Sequence, residues 1–279
     1  MIENLRTDAV GLLEKGDAKI ILGFEKGSLP RTATPAFFTK KEDLERLHFD
    51  PFCFNNLARF ARTPEILKHG KIGIVAKPSD VKALAVLVNE TQLAEADLSV
   101  LMVNCDEMGG EARKCEYLGL KTLGDAMKLV EERFKAADLS ADKLAALAVL
   151  DGKPVADRWR YWQEMFSRCV RCYACRQACP MCYCNRCIAE KNQPQWLPSS
   201  AHPLGNFMWN VVRAFHLAGR CIDCGECERA CPVDLPLVTL NRFIAREIKN
   251  DFGFLAGYSL TEKPPMATYS EKDQENFIE

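Results

Sequence analysis

Residues 169–187 read CVRCYACRQACPMCYCNRC, seven cysteines within nineteen residues. The first four, Cys169, Cys172, Cys175 and Cys179, follow a C-x2-C-x2-C-x3-C-P spacing closed by Pro180. The same spacing returns at Cys221, Cys224, Cys227 and Cys231, closed by Pro232. Three closely spaced thiolates can wrap one face of an iron–sulfur cubane, while the fourth cysteine of each run crosses to the other cluster. Zinc sites built from paired C-x2-C steps lack the third step and the C-P ending. The spacing therefore predicts two [4Fe–4S] clusters. Cys169, Cys172, Cys175 and Cys231 would hold the first, and Cys221, Cys224, Cys227 and Cys179 the second. Both middle cysteines, Cys172 and Cys224, are present, so each cubane has a full ligand set.

The flanking sequence is helical. Upstream, PVADRWRYWQEMFSRC sets Trp159, Trp162 and Phe166 along one face. Between the runs, whose first cysteines lie 52 residues apart, NFMWNVVRAFHLAGRC repeats apolar residues at three- and four-residue steps (Phe207, Val211, Val212, Phe215, Ala218) and stops at Gly219. Downstream, LPLVTLNRFIAREIKNDFG runs helically to Gly253. Residues 153–258 thus form a mainly α-helical, ferredoxin-like two-cluster domain.

The first 152 residues have a different pattern. KIGIVA is a short apolar strand, SDVKALAVLVNE a helix capped by Ser79 or Asp80, and LSVLMVN a second strand ending at Cys105. Together they predict a βαβ unit in a parallel α/β sheet. AKIILGFEKG is a further strand, and the stretch LGDAMKLVEERFKAADLSADKLAALAVLDG supplies two helices before a boundary at DGKPVADR. Residues 259–279 form a polar, extended tail, either wrapped on a neighbour or disordered. GFEKGS has two glycines but not the frame of a phosphate-binding loop, and no G-x-G-x-x-G follows any strand. Tightly bound FAD is therefore not expected.

Composition narrows the function. Lys and Arg number 37 against 38 Asp and Glu, so no global charge argues for nucleic acid or an anionic membrane. No apolar run approaches the roughly eighteen residues of a membrane span. With no signal-peptide core at the N-terminus, the chain is placed in the cytoplasm, where its fourteen cysteines are not expected to form disulfides. The histidines His48, His69, His202 and His216 lack ligand spacing, and no hydrolytic constellation is present, so no catalytic residue is assigned. Between Arg158 and Arg186 six arginines face one acid, Glu164. That excess could offset the charge of reduced clusters, steer an acidic partner, or simply coat an exposed helix.

The cysteine runs and their separation resemble the α-helical ferredoxin domain of succinate dehydrogenase iron–sulfur subunits and heterodisulfide reductase subunits. The KPSD turn with VKALAVL, the VNCDEMGG segment and the CPMCYC continuation resemble the β subunits of deazaflavin-reducing hydrogenases and formate dehydrogenases. They are similar also to sulfhydrogenase β subunits and anaerobic sulfite reductase A subunits. Ser79 departs from that group, which often carries cysteine there. The resemblance implies an electron-transfer subunit of an anaerobic oxidoreductase complex of formate dehydrogenase, hydrogenase or heterodisulfide reductase type. Its partners would be a flavin-containing or catalytic metal-containing subunit. The resemblance also permits an FAD-containing subunit that itself reduces a deazaflavin, and a third alternative is a structural or oxygen-sensing role for the clusters.

Six cysteines remain. Cys53 in DPFCFNN is expected in the core. Cys182, Cys184 and Cys187 lie beside the first run and are one thiolate short of a cubane. With Cys105 or Cys115 as the fourth ligand, they predict a third iron–sulfur centre where the two domains meet, the alternative being that these thiols are simply buried.

Overall fold

The computed structural model describes residues 1–105, 114–190, 194, 198 and 200–267. The helix α1 (Ile2–Lys15) leads into β1 (Ile20–Lys26) and β2 (Ala33–Phe38), a hairpin in which Gly27 N donates to Thr32 O (2.8 Å). Two short helices, α2 (Ala58–Ala61) and α3 (Pro64–Leu67), precede β3 (Ile72–Ala76), α4 (Pro78–Asn89) and β4 (Leu98–Cys105), and β5 (Cys115–Tyr117) completes the sheet. The strand order is β2-β1-β3-β4-β5.

The central strands β1, β3 and β4 are parallel and the edges β2 and β5 antiparallel, so the sheet is mixed rather than wholly parallel. The βαβ unit is β3-α4-β4. All five residues of β3 are buried, as a strand covered on both faces requires, which is why its sequence is an unbroken apolar run.

Helix α4 is apolar nearly all round because it is covered on every side, with Val81 through Leu87 buried. It begins earlier than expected. Pro78 occupies the first turn, and Asp80 lies inside the helix rather than before it. The Asp80 carboxylate accepts from Lys77 N (2.9 Å) and from Leu57 N (2.5 Å), tying the helix start to the segment before α2. Cys53 is 3% exposed and belongs to this core.

Helices α5 (Leu123–Phe134), α6 (Ala141–Asp151) and α7 (Val155–Ser167) lead to the cysteine-rich part. There α8 (Ala174–Ala178), α9 (Pro203–His216), α10 (Glu226–Arg229) and α11 (Leu237–Phe252) surround the two runs. Trp162 stacks on Phe166 (5.3 Å between centroids) and Trp159 packs on Phe207 of α9 (4.7 Å), so the aromatic face of α7 docks on α9.

One apolar core is continuous from the sheet into the cysteine-rich part, where it includes Met181, Leu217, Ile222, Phe254 and Tyr258. A smaller core forms around Phe166, Leu235 and Leu237. Polar ties cross the same seam. Arg220 grips the Glu90 carboxylate at 2.5 and 2.7 Å, and Tyr183 donates to it at 2.8 Å. Arg62 and Arg220 each lie 4.8 Å from the Tyr183 ring centroid.

Residues 259–267 do not extend away but fold back onto α4. Asn89 is bonded through its side chain to the Glu262 carbonyl, and Lys263 donates to Asn89 O (2.7 Å). Gly257 (φ 87°) lies so close to Lys82 that a Cβ would come within 2.7 Å of it. The tail beyond residue 267 and the DEMGG part of VNCDEMGG lie outside the described residues.

Candidate metal centres

The two cysteine runs fold into the same loop. The second residue after the leading cysteine has positive φ in each, Arg171 (59°) and Asp223 (58°), and so does the fourth, Tyr173 (62°) and Gly225 (75°). Alternating left-handed residues turn successive backbone N–H groups toward one point, a nest for an anionic group such as an iron–sulfur cluster. The short helices α8 and α10 follow and carry Cys175 and Cys227.

Left-handed geometry at a non-glycine residue costs about 1–3 kcal/mol and persists only when neighbours hold it. Here they do. Arg171 is buried and donates to Gly205 O (2.7 Å). Asp223 accepts from Arg242 (2.8 and 3.0 Å) and lies 3.6 Å from Lys143. Tyr173 packs edge-on against Trp209 at 5.5 Å.

Cys179, from the first run, lines one cavity with Cys221, Cys224 and Cys227 of the second. Conversely, Cys175 has Cys169, Cys182 and Cys231 as charge neighbours. The fourth cysteine of the first run thus lies beside the second run, and Cys172 is exposed. Backbone and side-chain donors reach the sulfurs: Arg171 N to Cys169 Sγ (3.4 Å), Leu235 N to Cys231 Sγ (3.4 Å), and Asn241 Nδ2 to Cys227 Sγ (3.7 Å).

Burial pushes the thiol pKa of Cys175 up to about 11 and that of Cys221 up to about 12, and raises those of Cys224 and Cys227. Such thiols ionise on binding a metal centre, which supplies the positive charge that the apolar surroundings lack. Four sulfurs around a cavity, with donors aimed at them, suit a multi-iron cluster. Among the described residues no three Cys, His, Asp or Glu side chains converge on a single-ion position.

Sequence reasoning missed the polar face of α9. Asn206, Asn210 and Arg213 are all buried and recur at four- and three-residue steps, a stripe that the apolar pattern of the same helix overshadowed. Asn206 Nδ2 donates to Cys169 O (2.6 Å), Asn210 Nδ2 to Asn206 O (2.8 Å), and Arg213 Nη2 to Cys175 O (3.2 Å). Burial alone would weaken the Arg213 cation, but Cys182, Cys179, Cys175 and Cys227 around it outweigh that and raise its pKa. Arg213 therefore stands between the two cysteine sets.

The arginines of the 158–186 stretch are largely engaged with the chain itself. Arg168 donates to Val233 O (2.8 Å) and Arg176 to the carbonyls of Cys184 (2.9 Å) and Asn185 (3.2 Å), while Arg158 and Arg160 pair with Asp151 and Asp157. Of the histidines, His202 accepts from Gly205 N (3.4 Å) as the cap of α9, and His48 bonds Asp50 (2.8 Å).

Of the expected third set, Cys105 and Cys115 are not among the residues that line a cavity with Cys182, Cys184 and Cys187. Cys105 and Cys115 lie directly opposite each other on β4 and β5, with Cα atoms 4.0 Å apart, and are joined as a disulfide. A disulfide offers no thiolate, so neither cysteine completes a set with the other three, and the expectation of a chain without disulfides is corrected at this pair. Cys182, Cys184 and Cys187 line a separate cavity of about 420 Å³ between the first run and α9.

Residues 168–236 match the model of the 4Fe-4S dicluster domain. Over 168 residues, 58% of this chain, it is 29% identical to the F420-dependent formate dehydrogenase subunit beta of Methanocaldococcus jannaschii, whose length the match spans only to 42%. It is 22% identical to the F420-dependent formate dehydrogenase 1 subunit beta of Methanococcus maripaludis, over 91% of this chain and 90% of that one. These names support an iron–sulfur β-subunit relationship. No helix among the described residues is long and apolar enough to cross a membrane.

Proposed function

We propose that this chain is the electron-transfer subunit of a formate dehydrogenase-type complex, relaying single electrons through two [4Fe–4S] clusters. Cys169, Cys172, Cys175 and Cys231 hold the first, and Cys221, Cys224, Cys227 and Cys179 the second. The observation that carries the reading is the repeated pair of positive-φ loops, with Cys179 of the first run lining one cavity beside Cys221, Cys224 and Cys227 of the second. The two kinds of domain meet at about residues 152 and 153.

Each cluster, when bound, supplies a one-electron couple whose potential depends on thiolate charge, hydrogen bonding and burial. The residues of this chain set those conditions. The nest N–H groups and Asn241 donate toward sulfur, and Arg213 offsets negative charge from both sets. Arg171 and the Arg242–Asp223 pair hold the loops in shape. Glu90, Arg220 and Tyr183 fix the α/β part against the cluster part, so that a partner docked on either is held in a constant relation to the clusters.

Purification of the complex from its native source under nitrogen tests this. A co-purifying catalytic subunit, with the clusters of this chain reduced on adding formate, is the expected result. Clusters that dithionite reduces but formate does not, in a complex that still oxidises formate, overturn the assignment. The F420-dependence in the relatives' names favours a second reading, an FAD-containing subunit that reduces a deazaflavin itself. A stoichiometric flavin spectrum from the native protein would select it.

A further inference from the structure

The cavity of about 420 Å³ lined by Cys182, Cys184 and Cys187 has no role in the two-cluster relay. Across it stands one face of α9, where Trp209, Arg213 and His216 recur at four- and three-residue steps and all line the same space. Two of these side chains carry buried donors with no acceptor. Trp209 Nε1 and Arg213 Nε are unpaired, on residues only 3% and 5% exposed. Buried donors are rarely left unpaired, so the cavity calls for an occupant rich in acceptors. The His216 imidazole, which also faces the cavity, makes no hydrogen bond among the described residues.

We propose that this cavity holds a third iron–sulfur centre ligated by Cys182, Cys184, Cys187 and His216. The cluster's sulfides and the ligating thiolates supply acceptors for Trp209 Nε1 and Arg213 Nε. His216 takes the fourth ligand position that Cys105 and Cys115, bonded to each other, do not fill. Imidazole is an established replacement for cysteine on iron–sulfur iron. Cys182 N donates to Cys179 O (3.2 Å), so the centre adjoins the second cluster. The site rests on the two-cubane reading and extends it by one redox step of one electron.

The test is anaerobic reconstitution of the full chain with iron and sulfide, in wild type, in a Cys184→Ser, Cys187→Ser double variant and in His216→Ala. The expected iron content is about twelve per chain in wild type and about eight in the double variant, on four irons per cubane. With histidine labelled by 15N, a hyperfine coupling to a reduced centre is expected in wild type and absent in His216→Ala. Alkylation of the native, reconstituted wild type decides the matter even if the variants do not fold: Cys184 and Cys187 are expected to be protected. About eight irons in wild type with both other centres intact overturns this site alone. Four or fewer overturn it together with the two-cubane reading. Free alkylation of Cys184 and Cys187, or flavin in the cavity, also overturns it.

Discussion

Replacing Arg213 by glutamine removes a positive charge that is 5% exposed and lies beside cysteines of both dicluster sets. Its guanidinium donates to the Cys175 carbonyl at 3.2 Å, beside a proposed ligand of the first cluster. With the cluster charge taken about 8 Å away and an effective dielectric of about 20, one added electron is stabilised by about 2 kcal/mol. For a one-electron couple that corresponds to roughly 90 mV. Loss of the charge disfavours the reduced, more negative cluster, so the midpoint potentials fall. Redox titration followed by EPR should show both centres in Arg213→Gln lower by about 50–100 mV, allowing for relaxation and water entry. Arg213→Lys keeps the charge and should shift them by less than half as much. A shift below about 20 mV at both centres, or one as large in the lysine variant, would refute the electrostatic role.

Other consequences follow from the seam and the loops. Glu90→Ala leaves Arg220 and Tyr183 without their shared acceptor and should lower stability by about 2 kcal/mol, after discounting the partial exposure of the pair; a change under about 0.5 kcal/mol in denaturant unfolding would contradict the tie. Asp138 accepts from Lys143 (3.0 Å) and Tyr258 (2.8 Å) and pairs with Lys82. Burial alone would raise its pKa, but the two lysines outweigh that and hold it below the ordinary carboxylate value. Its stabilisation is therefore complete above about pH 4 and is lost as pH falls through the lowered value, so the deficit of Asp138→Asn should be constant from pH 8 to 5 and shrink only below. A deficit that already shrinks between pH 8 and 5 would contradict this. Cys105→Ser, Cys115→Ser should bind as much iron as wild type, because these cysteines bond each other; an iron loss would return them to the ligand list.

How much of this was readable in the sequence depended on how local the physics was. The cysteine runs were legible because cluster ligation demands short loops of fixed spacing, and β3-α4-β4 because a doubly covered strand is an unbroken apolar run. The edge strands were not. β2 contains Pro35 and alternates without a clear apolar face, while β5 has three residues and exists through its pairing with β4. Helix α1 carries a signal of its own, Leu5, Ala9 and Leu12 at helical steps, but in a polar stretch where that stripe is narrow. The pairing of Cys105 with Cys115 depends on a strand register that a separation of ten residues does not reveal. The arginine-rich stretch suggested a surface field, whereas Arg168 and Arg176 satisfy carbonyls beside the cysteines and Arg171 the Gly205 carbonyl of α9. Arg213 was hidden because its partners come from both runs at once.

The exchange of fourth ligands is tested most directly by EPR of single serine variants at Cys169, Cys179 and Cys221, reduced anaerobically. Cys179→Ser should alter the same centre as Cys221→Ser and leave the centre altered by Cys169→Ser intact. Grouping of Cys179 with Cys169 would contradict the crossed two-cubane assignment.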